Sequence, residues 1–420
     1  MNNKLKAYNK ILLFLKDIDY RKHILFSLLD RVVLLKFKHL PIQQRTMLIV
    51  HIDLIGDYII FRNFIEAIKS SGKYEDYQLT LCGNINLKEL AEYLDKDIVD
   101  RFIWVDINKF KRTKRIKNIF YRYKKLKEIR RIGYEIVFYP KYGRHFFVDT
   151  IVKNLIAKEK IGATGNLSHQ KEWQKSVSDH YYTKLLSNSD GTLFEFYRNK
   201  EIVEGFLLEK IPINKPFIDT SVLKRIKLSF DLPQNYIVLF IGASSLSRRW
   251  PIENYALIAH YLKTRCNVEI VVCGGLNELK ESQLFDNLSN YQHLNLIGRT
   301  SLLELLSVLY NANLIVSNET FVPHLAIALD KTCIVISNGN TFKRWVPYPE
   351  EMTNKYHAVF HPKIRSSLEN KKEQELELKY SHGSNLNISE ITASEVMGKI
   401  HEVIAKFQID TPPNLPSSRQ

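Results

Sequence analysis

Three stretches of this chain place side chains that can hold an anion or a proton directly after an apolar, strand-like run. The first is Asp53-Leu54-Ile55-Gly56-Asp57, which follows MLIVHI (47–52). A glycine at a strand end permits a tight turn and close approach of a ligand. Asp57 then opens a helical pattern, where it is either a proton acceptor or simply a cap for free amides. The second is Gly242-Ala243-Ser244-Ser245-Leu246-Ser247-Arg248-Arg249, after YIVLFIG (236–242). Small hydroxyl residues, free amides and two guanidinium groups suit a phosphate or diphosphate, or else form a solvated loop. The third is Ser317-Asn318-Glu319-Thr320-Phe321-Val322-Pro323-His324. Here Pro323 marks a helix start, whose amino end can hold an anion, and Glu319 can bond sugar hydroxyls. Thr320 can equally be a cap and His324 a half-buried core histidine. Glu278 reads as a ligand or as a first-turn acid, and Ser301 with Glu304 as a capping box. No dinucleotide fingerprint, P-loop or nucleophile elbow is present, and no His/Cys/Asp/Glu cluster has metal-ligand spacing, so no metal site is expected.

These loops need strand ends to hold them, and the chain supplies two series. From Thr46, strand-like MLIVHI, YQLTLCG (77–83), RFIWVDI (101–107) and YEIVFYP (134–140) alternate with helical patterns. After a less regular stretch, a second alternation begins with YIVLFIG and continues through VEIVVCGG (268–275), LNLIG (294–298), NLIVSN (313–318) and TCIVISN (332–338). Repeated βα units predict parallel sheets covered by helices. The expected organisation is a basic amphipathic helical extension (1–45) and two Rossmann-like domains (46–225 and 226–400) facing a central cleft. The end of a last helix and a loose tail complete it (401–420).

Composition bounds the function. The 420 residues carry a formal net charge of +16 with 45% hydrophobic and 25% charged residues, as in a globular protein. Four cysteines without a C-x-x-C pair argue against a disulfide scaffold. The charge is concentrated: residues 1–45 sum to +7 and residues 109–131 to +11, leaving the remainder at −2. Neither apolar run of the extension reaches the roughly 20 residues that span a bilayer. Segment 109–131 reads as an amphipathic helix with Ile116, Ile119, Phe120, Tyr123, Leu126 and Ile129 as its inner stripe. Its Tyr121 and Tyr123 among basic residues also admit a nucleic-acid surface, but the amphipathic pattern is preferred.

The ordered set of motifs resembles glycosyltransferase family 9, the heptosyltransferase-like enzymes of GT-B fold. The resemblance rests on IVHIDLIGDYIIF, GASSLSRRWPIENY, CGGLNE, GRTSLLEL and SNETFVPHLA, in that order over about residues 46–400. It implies an α/β, two-domain enzyme that transfers a sugar from a nucleotide diphosphate donor with inversion, without a bound metal or other cofactor. By residue match, Asp57 is the general base, within an acceptor loop that includes Asp53 and Gly56. Arg248 contacts the donor phosphates with Gly242, Ser244, Ser245 and, more weakly, Arg249. Glu278 matches the ribose-binding acid, and Glu319, Thr320 and His324 the element facing the donor sugar. Many relatives have Asp-Thr-Gly where this chain has Glu319-Thr320-Phe321, which weakens the inference to heptose.

The expected function is therefore transfer onto a lipid-linked surface glycan, such as bacterial lipopolysaccharide core, with ADP-heptose favoured as donor. A different nucleotide sugar is the alternative, and a non-catalytic glycan- or nucleic-acid-binding protein a lesser one. The acceptor would be an anionic glycolipid, and no nucleic-acid partner is expected. The enzyme would sit at the cytoplasmic face of the membrane, attached peripherally through residues 1–45 and 109–131.

Overall fold

Two sheets of six parallel strands organise a computed structural model that describes residues 14–36, 40–112 and 115–407. The first comprises β1 (Thr46–His51), β2 (Gln78–Asn84), β3 (Arg101–Val105), β4 (Gly133–Tyr139), β5 (Ile156–Ala163) and β6 (Lys184–Leu186), in the order β3-β2-β1-β4-β5-β6. The second comprises β7 (Tyr236–Phe240), β8 (Glu269–Cys273), β9 (Leu294–Asn295), β10 (Leu314–Asn318), β11 (Cys333–Ser337) and β12 (Tyr356–Phe360), in the order β12-β11-β10-β7-β8-β9. Both are doubly wound, with the strand order reversing between β1 and β4 and between β7 and β10. The central strands are apolar along their length because both faces are covered: β1, β7, β10 and β11 are buried at every residue.

The helices that matter for the site are α1 (Ile18–Lys36), α2 (Ile55–Ser70), α3 (Ile116–Ile129), α4 (Phe146–Asn154), α5 (Glu195–Leu207), α6 (Val322–Ala328) and α7 (Ala393–Phe407). Helix α2 packs against α5 and, across the two sheets, against α6. One apolar core runs through this joint, from Phe61, Phe64 and Phe196 to Val322 and Leu325. The connecting segment is pinned to α2 as well. Asn63 exchanges two hydrogen bonds with the backbone of Phe217, and the buried Arg62 bonds the Phe217 carbonyl at 2.8 Å. Helix α7 closes the second sheet through Val396, Ile400, Val403 and Ile404; the expected tail from 408 onward lies outside the described residues.

In the described part of the amino-terminal segment, helical residues 14–16 precede a break at Asp17, and the 19-residue α1 that follows packs on α3. Asp30 binds the guanidinium of Arg122 in two-pronged fashion at 2.8 and 2.5 Å, and both side chains are buried. Residues 1–13 of the extension lie outside the described residues. The stripe expected on α3 is rotated: Leu126 and Ile129 are buried, but Ile116 and Phe120 face outward at 70% and 60% exposure. Arg122 takes an inward position because Asp30 neutralises it there and the rings of Phe26 and Phe110 each lie 4.3 Å from it. Tyr121 and Tyr123 pack toward the core, the former accepting a bond from the Asp106 amide. All four cysteines are free and buried.

Candidate functional site

Each sheet offers a crevice where its strand order reverses, at the carboxyl ends of its strands, the place where such sheets bind ligands. In the first sheet the β1 loop carries Asp53, Gly56 and Asp57, and the β4 end carries Lys141. In the second sheet the β7 loop carries Gly242 to Arg249, and the β10 end carries Glu319, Thr320 and His324.

Asp57 lies in the first turn of α2, but it is not the cap: the helix starts two residues earlier, at Ile55, and no side chain caps it. Its Oδ1 instead meets the Lys141 ammonium at 2.5 Å, and its carboxylate remains partly open. Among the described residues Oδ2 has no partner. Lys141 is 6% exposed and reaches Glu195 at 3.2 Å, which in turn meets Arg344 of the second domain at 3.5 Å. Burial works against the Lys141 charge, but Asp53, Asp57 and Glu195 outweigh it and hold its pKa well above the usual lysine value. Asp53 is buried, with Oδ2 unpartnered. Burial favours its neutral form, yet Lys141 and then His51 prevail and keep its pKa below the ordinary carboxylate value.

On the facing side the two adjacent arginines divide. Arg248 is half-buried, donating to the Glu319 carbonyl at 3.1 Å and to Ser244 Oγ at 2.6 Å, so it bridges the β7 and β10 ends. Ser245 bonds Ser247 at 2.8 Å. Arg249 turns the other way, with all three guanidinium nitrogens engaged by the Ala243 carbonyl, Glu278 and Glu281. It is a clamp for the β8 loop, not an open phosphate ligand. Glu278 is buried in that clamp, 2.6 Å from Arg249 and accepting from the Gly275 amide at 2.8 Å. Gly242 fits beneath it, since a Cβ there would lie 3.1 Å from Glu278 Oε2.

Glu319 is also occupied. Its carboxylate accepts from Ser337 at 2.8 Å and from Asn340 and Thr341 at 3.2 Å each, tying the β10 end to the β11 loop. Burial pushes its pKa up, against the opposing effect of Arg248 and these donors. Thr320 is half-buried, and Phe321 rather than Thr320 is the cap residue of α6. His324 bonds the Tyr348 hydroxyl at 2.8 Å. Burial pushes its pKa down to about 4, with Asp57 acting weakly the other way, so at neutral pH the ring carries no charge to offer a phosphate.

The two crevices meet at one point. A Cβ on Gly56 would stand 2.9 Å from His324 Cδ2, so the β1 loop and α6 approach as closely as only glycine allows. Asp57 follows Gly56 in the first turn of α2, and Arg248 bonds the Glu319 carbonyl at the β10 end that leads into α6, so the two belong to the elements that meet here. The residues missed from sequence are Lys141, Glu195 and Arg344. Lys141 had a readable signal, its place directly beyond the strand YEIVFYP beside the reversal; Glu195 and Arg344 had none. Ser301 and Glu304 form the ordinary capping box. Among the described residues no group of three His, Cys, Asp or Glu is arranged to hold a metal ion.

Comparison with known proteins places this geometry. Residues 210–378 match the family model of glycosyltransferase family 9 (heptosyltransferase). No curated protein matches the chain in sequence. Among solved structures, a glycosyl transferase family 9 protein from Veillonella parvula DSM 2008 is similar with a TM-score of 0.65 at 16% identity, over 87% of this chain and 98% of that one. The E. coli heptosyltransferase WaaC with ADP-2-deoxy-2-fluoro heptose gives 0.63 at 15% identity, over 85% and 99%. The E. coli ADP-heptose lps heptosyltransferase II gives 0.59 at 13% identity, over 86% and 99%. At such identities the likeness speaks for the shared two-domain GT-B fold. The matched segment holds Arg248, Glu278 and His324, so the likeness to glycosyltransferase family 9 (heptosyltransferase) rests on residues 210–378, and the protein is a glycosyltransferase.

Proposed function

We propose that the protein moves a sugar, with inversion and without a metal, from a nucleoside diphosphate donor onto a hydroxyl of a lipid-linked surface glycan. The observation that supports this reading is the close approach of Gly56, beside Asp57, to His324, in the segment whose Glu319 carbonyl Arg248 bonds. In the transfer, the acceptor oxygen bonds the anomeric carbon as the bond from that carbon to the diphosphate breaks. The acceptor proton passes to Asp57, whose Oδ2 is free to receive it while Lys141 fixes Oδ1. The negative charge growing on the departing diphosphate is met by the Arg248 guanidinium, the office a divalent ion fills in other transferases.

ADP-heptose is the favoured donor, supported by the fold shared with proteins solved with ADP and ADP-2-deoxy-2-fluoro heptose. The alternative is a different nucleotide sugar, favoured by Glu319-Thr320-Phe321, where the longer carboxylate is drawn into the β11 loop. No described helix is long and apolar enough to cross a membrane. For a nucleotide-sugar donor, we place the work on a lipid-linked acceptor at the cytoplasmic face. Thermal shifts with a panel of ADP-, UDP- and GDP-sugars test the donor. Stabilisation by ADP-heptose alone is expected, and a preference for a UDP- or GDP-sugar removes heptose. Asp57→Asn should bind the donor as before but lose at least about a hundredfold in turnover. Unchanged turnover rejects its role, and turnover lost to EDTA rejects metal independence.

A further inference from the structure

The two basic segments, separated in sequence by residues 46–108, are neighbours in the fold, locked by the buried pair of Asp30 and Arg122. Helix α1 uses one face for this docking: Tyr20 meets Trp173 edge-on at 5.0 Å, His23 lies 5.0 Å from Phe146, and Phe26 covers Arg122. The opposite face is apolar and open. Ile18, Leu25, Leu28 and Leu35 follow one another at spacings of seven, three and seven, and are 57%, 44%, 54% and 76% exposed. Those spacings place all four on a single side of the helix. Arg21 lies within this stripe, and Lys22 and Arg31 flank it, all exposed. On the adjoining α3, the exposed Ile116 and Phe120 stand among exposed Lys117 and Lys124.

A helix apolar on both faces wants a partner on each, and the first sheet's domain covers only one. We propose that the outer face of α1, with the outward residues of α3, is a docking surface for an anionic lipid bilayer, lying flat in its headgroup region. This deepens the proposed function by giving the enzyme its own hold on the surface bearing its acceptor. Charge complementarity selects the occupant. The charged groups exposed in and beside these apolar residues, Arg21, Lys22 and Arg31 on α1 and Lys117 and Lys124 on α3, are all basic. A second copy would set two such surfaces against each other, whereas anionic headgroups neutralise them. Leucines rimmed by lysine and arginine are also the composition that inserts at such an interface.

The test is sedimentation of the full chain with vesicles of phosphatidylcholine, alone and mixed with phosphatidylglycerol. Binding is expected only to the mixed vesicles, and to weaken with added salt. Lys117→Gln/Lys124→Gln should lower the partition coefficient about 25-fold, near fivefold per charge. Leu25→Ser/Leu28→Ser should lower it at least about tenfold. Both pairs are exposed, so circular dichroism and melting temperature should match the parent, and the charge pair serves if the leucine pair does not fold. Equal binding to both vesicles, or binding unchanged in a folded variant, overturns the proposal. So does a dimer in light scattering that Leu25→Ser/Leu28→Ser dissociates, which would give the face to a second copy. No donor or acceptor enters this measurement, so its failure leaves the transfer reading standing, and the reverse.

Discussion

Replacing Lys141 with methionine tests the electrostatic frame of the site most sharply, because length and packing survive while the charge does not. Lys141 is 6% exposed and lies 2.5 Å from Asp57 and 3.2 Å from Glu195. Three carboxylates, Asp53, Asp57 and Glu195, then share a cluster in which Arg344 still meets Glu195 at 3.5 Å. Removing one partner of a buried ion pair typically costs about 3–5 kcal/mol. Asp57 is partly open to solvent and contributes less, so the loss at neutral pH should lie near the lower end, about 3 kcal/mol. Fixing the general base less well should also cost about a hundredfold in kcat/KM if it drifts by about 1 Å.

The pH dependence carries the refutation. In the parent, Asp53 is held below its ordinary value of 3.8, chiefly by Lys141 acting against burial. Its contribution is therefore present above pH 4 and lost as acid protonates it in the folded state. Without Lys141, burial dominates and the folded-state value rises above the unfolded one. The sign then reverses: charging Asp53 opposes folding, and acid relieves it. The stability deficit of Lys141→Met should shrink between pH 7 and pH 5, by up to about 1.4 kcal/mol per pH unit below the raised value, read as convergence of its melting temperature on that of the parent. A deficit constant over that range would show that Lys141 acts through packing alone and would sink the electrostatic account.

Arg248→Ala should lower kcat/KM by about 10²–10³, as loss of one preorganised charge donor does, and Arg248→Lys should recover only part of it; full activity in either assigns the diphosphate elsewhere. Gly56→Ala adds a methyl 2.9 Å from a His324 ring already fixed by Tyr348. Alanine suits a helix by about 1 kcal/mol, so stability should hold while kcat/KM falls at least about tenfold as the walls part. Unchanged kinetics would mean that the closed joint is dispensable. Asp30→Ala leaves the Arg122 guanidinium buried without a partner, a loss of about 3–5 kcal/mol. Limited proteolysis should then cut within α1 first, and equal cleavage of parent and variant would show that the ion pair does not dock the helix.

The sequence placed nine of the twelve strands near their observed positions, because a buried parallel strand is a nearly unbroken apolar run. The missed ones explain themselves. Strand β5, IAKEKIGA, carries three charged residues, and only its last three positions are fully buried. Strand β6 has three residues, and β12 reads as one more apolar patch in a polar region. The site was legible where a motif sits on a strand end, as with Asp57 and Arg248. It was illegible where tertiary structure joined distant residues. Nothing in a sequence says that Lys141 meets Asp57, or that Arg249 belongs to Glu278 while Arg248 does not. Arg122 shows the same limit from the other side: of the twelve basic residues in its segment, Arg122 and Arg130 are buried, and only the fold shows that Arg122 is the one paired with Asp30.

That one arginine changes what the basic segments mean. A run of lysines and arginines on a solvated helix needs no partner within the protein, and two such runs need have nothing to do with each other. Asp30 and Arg122 join them where α3 packs on one face of the first sheet, with Asn154 of α4 adding a third contact to Asp30 at 2.9 Å. The charge is thus concentrated on the domain that holds Asp57, whereas the domain that holds Arg248 lies in the near-neutral remainder. Under the proposed function, that asymmetry would draw an anionic surface to the domain that carries Asp57 and leave the domain that carries Arg248 free to take a diphosphate from solution.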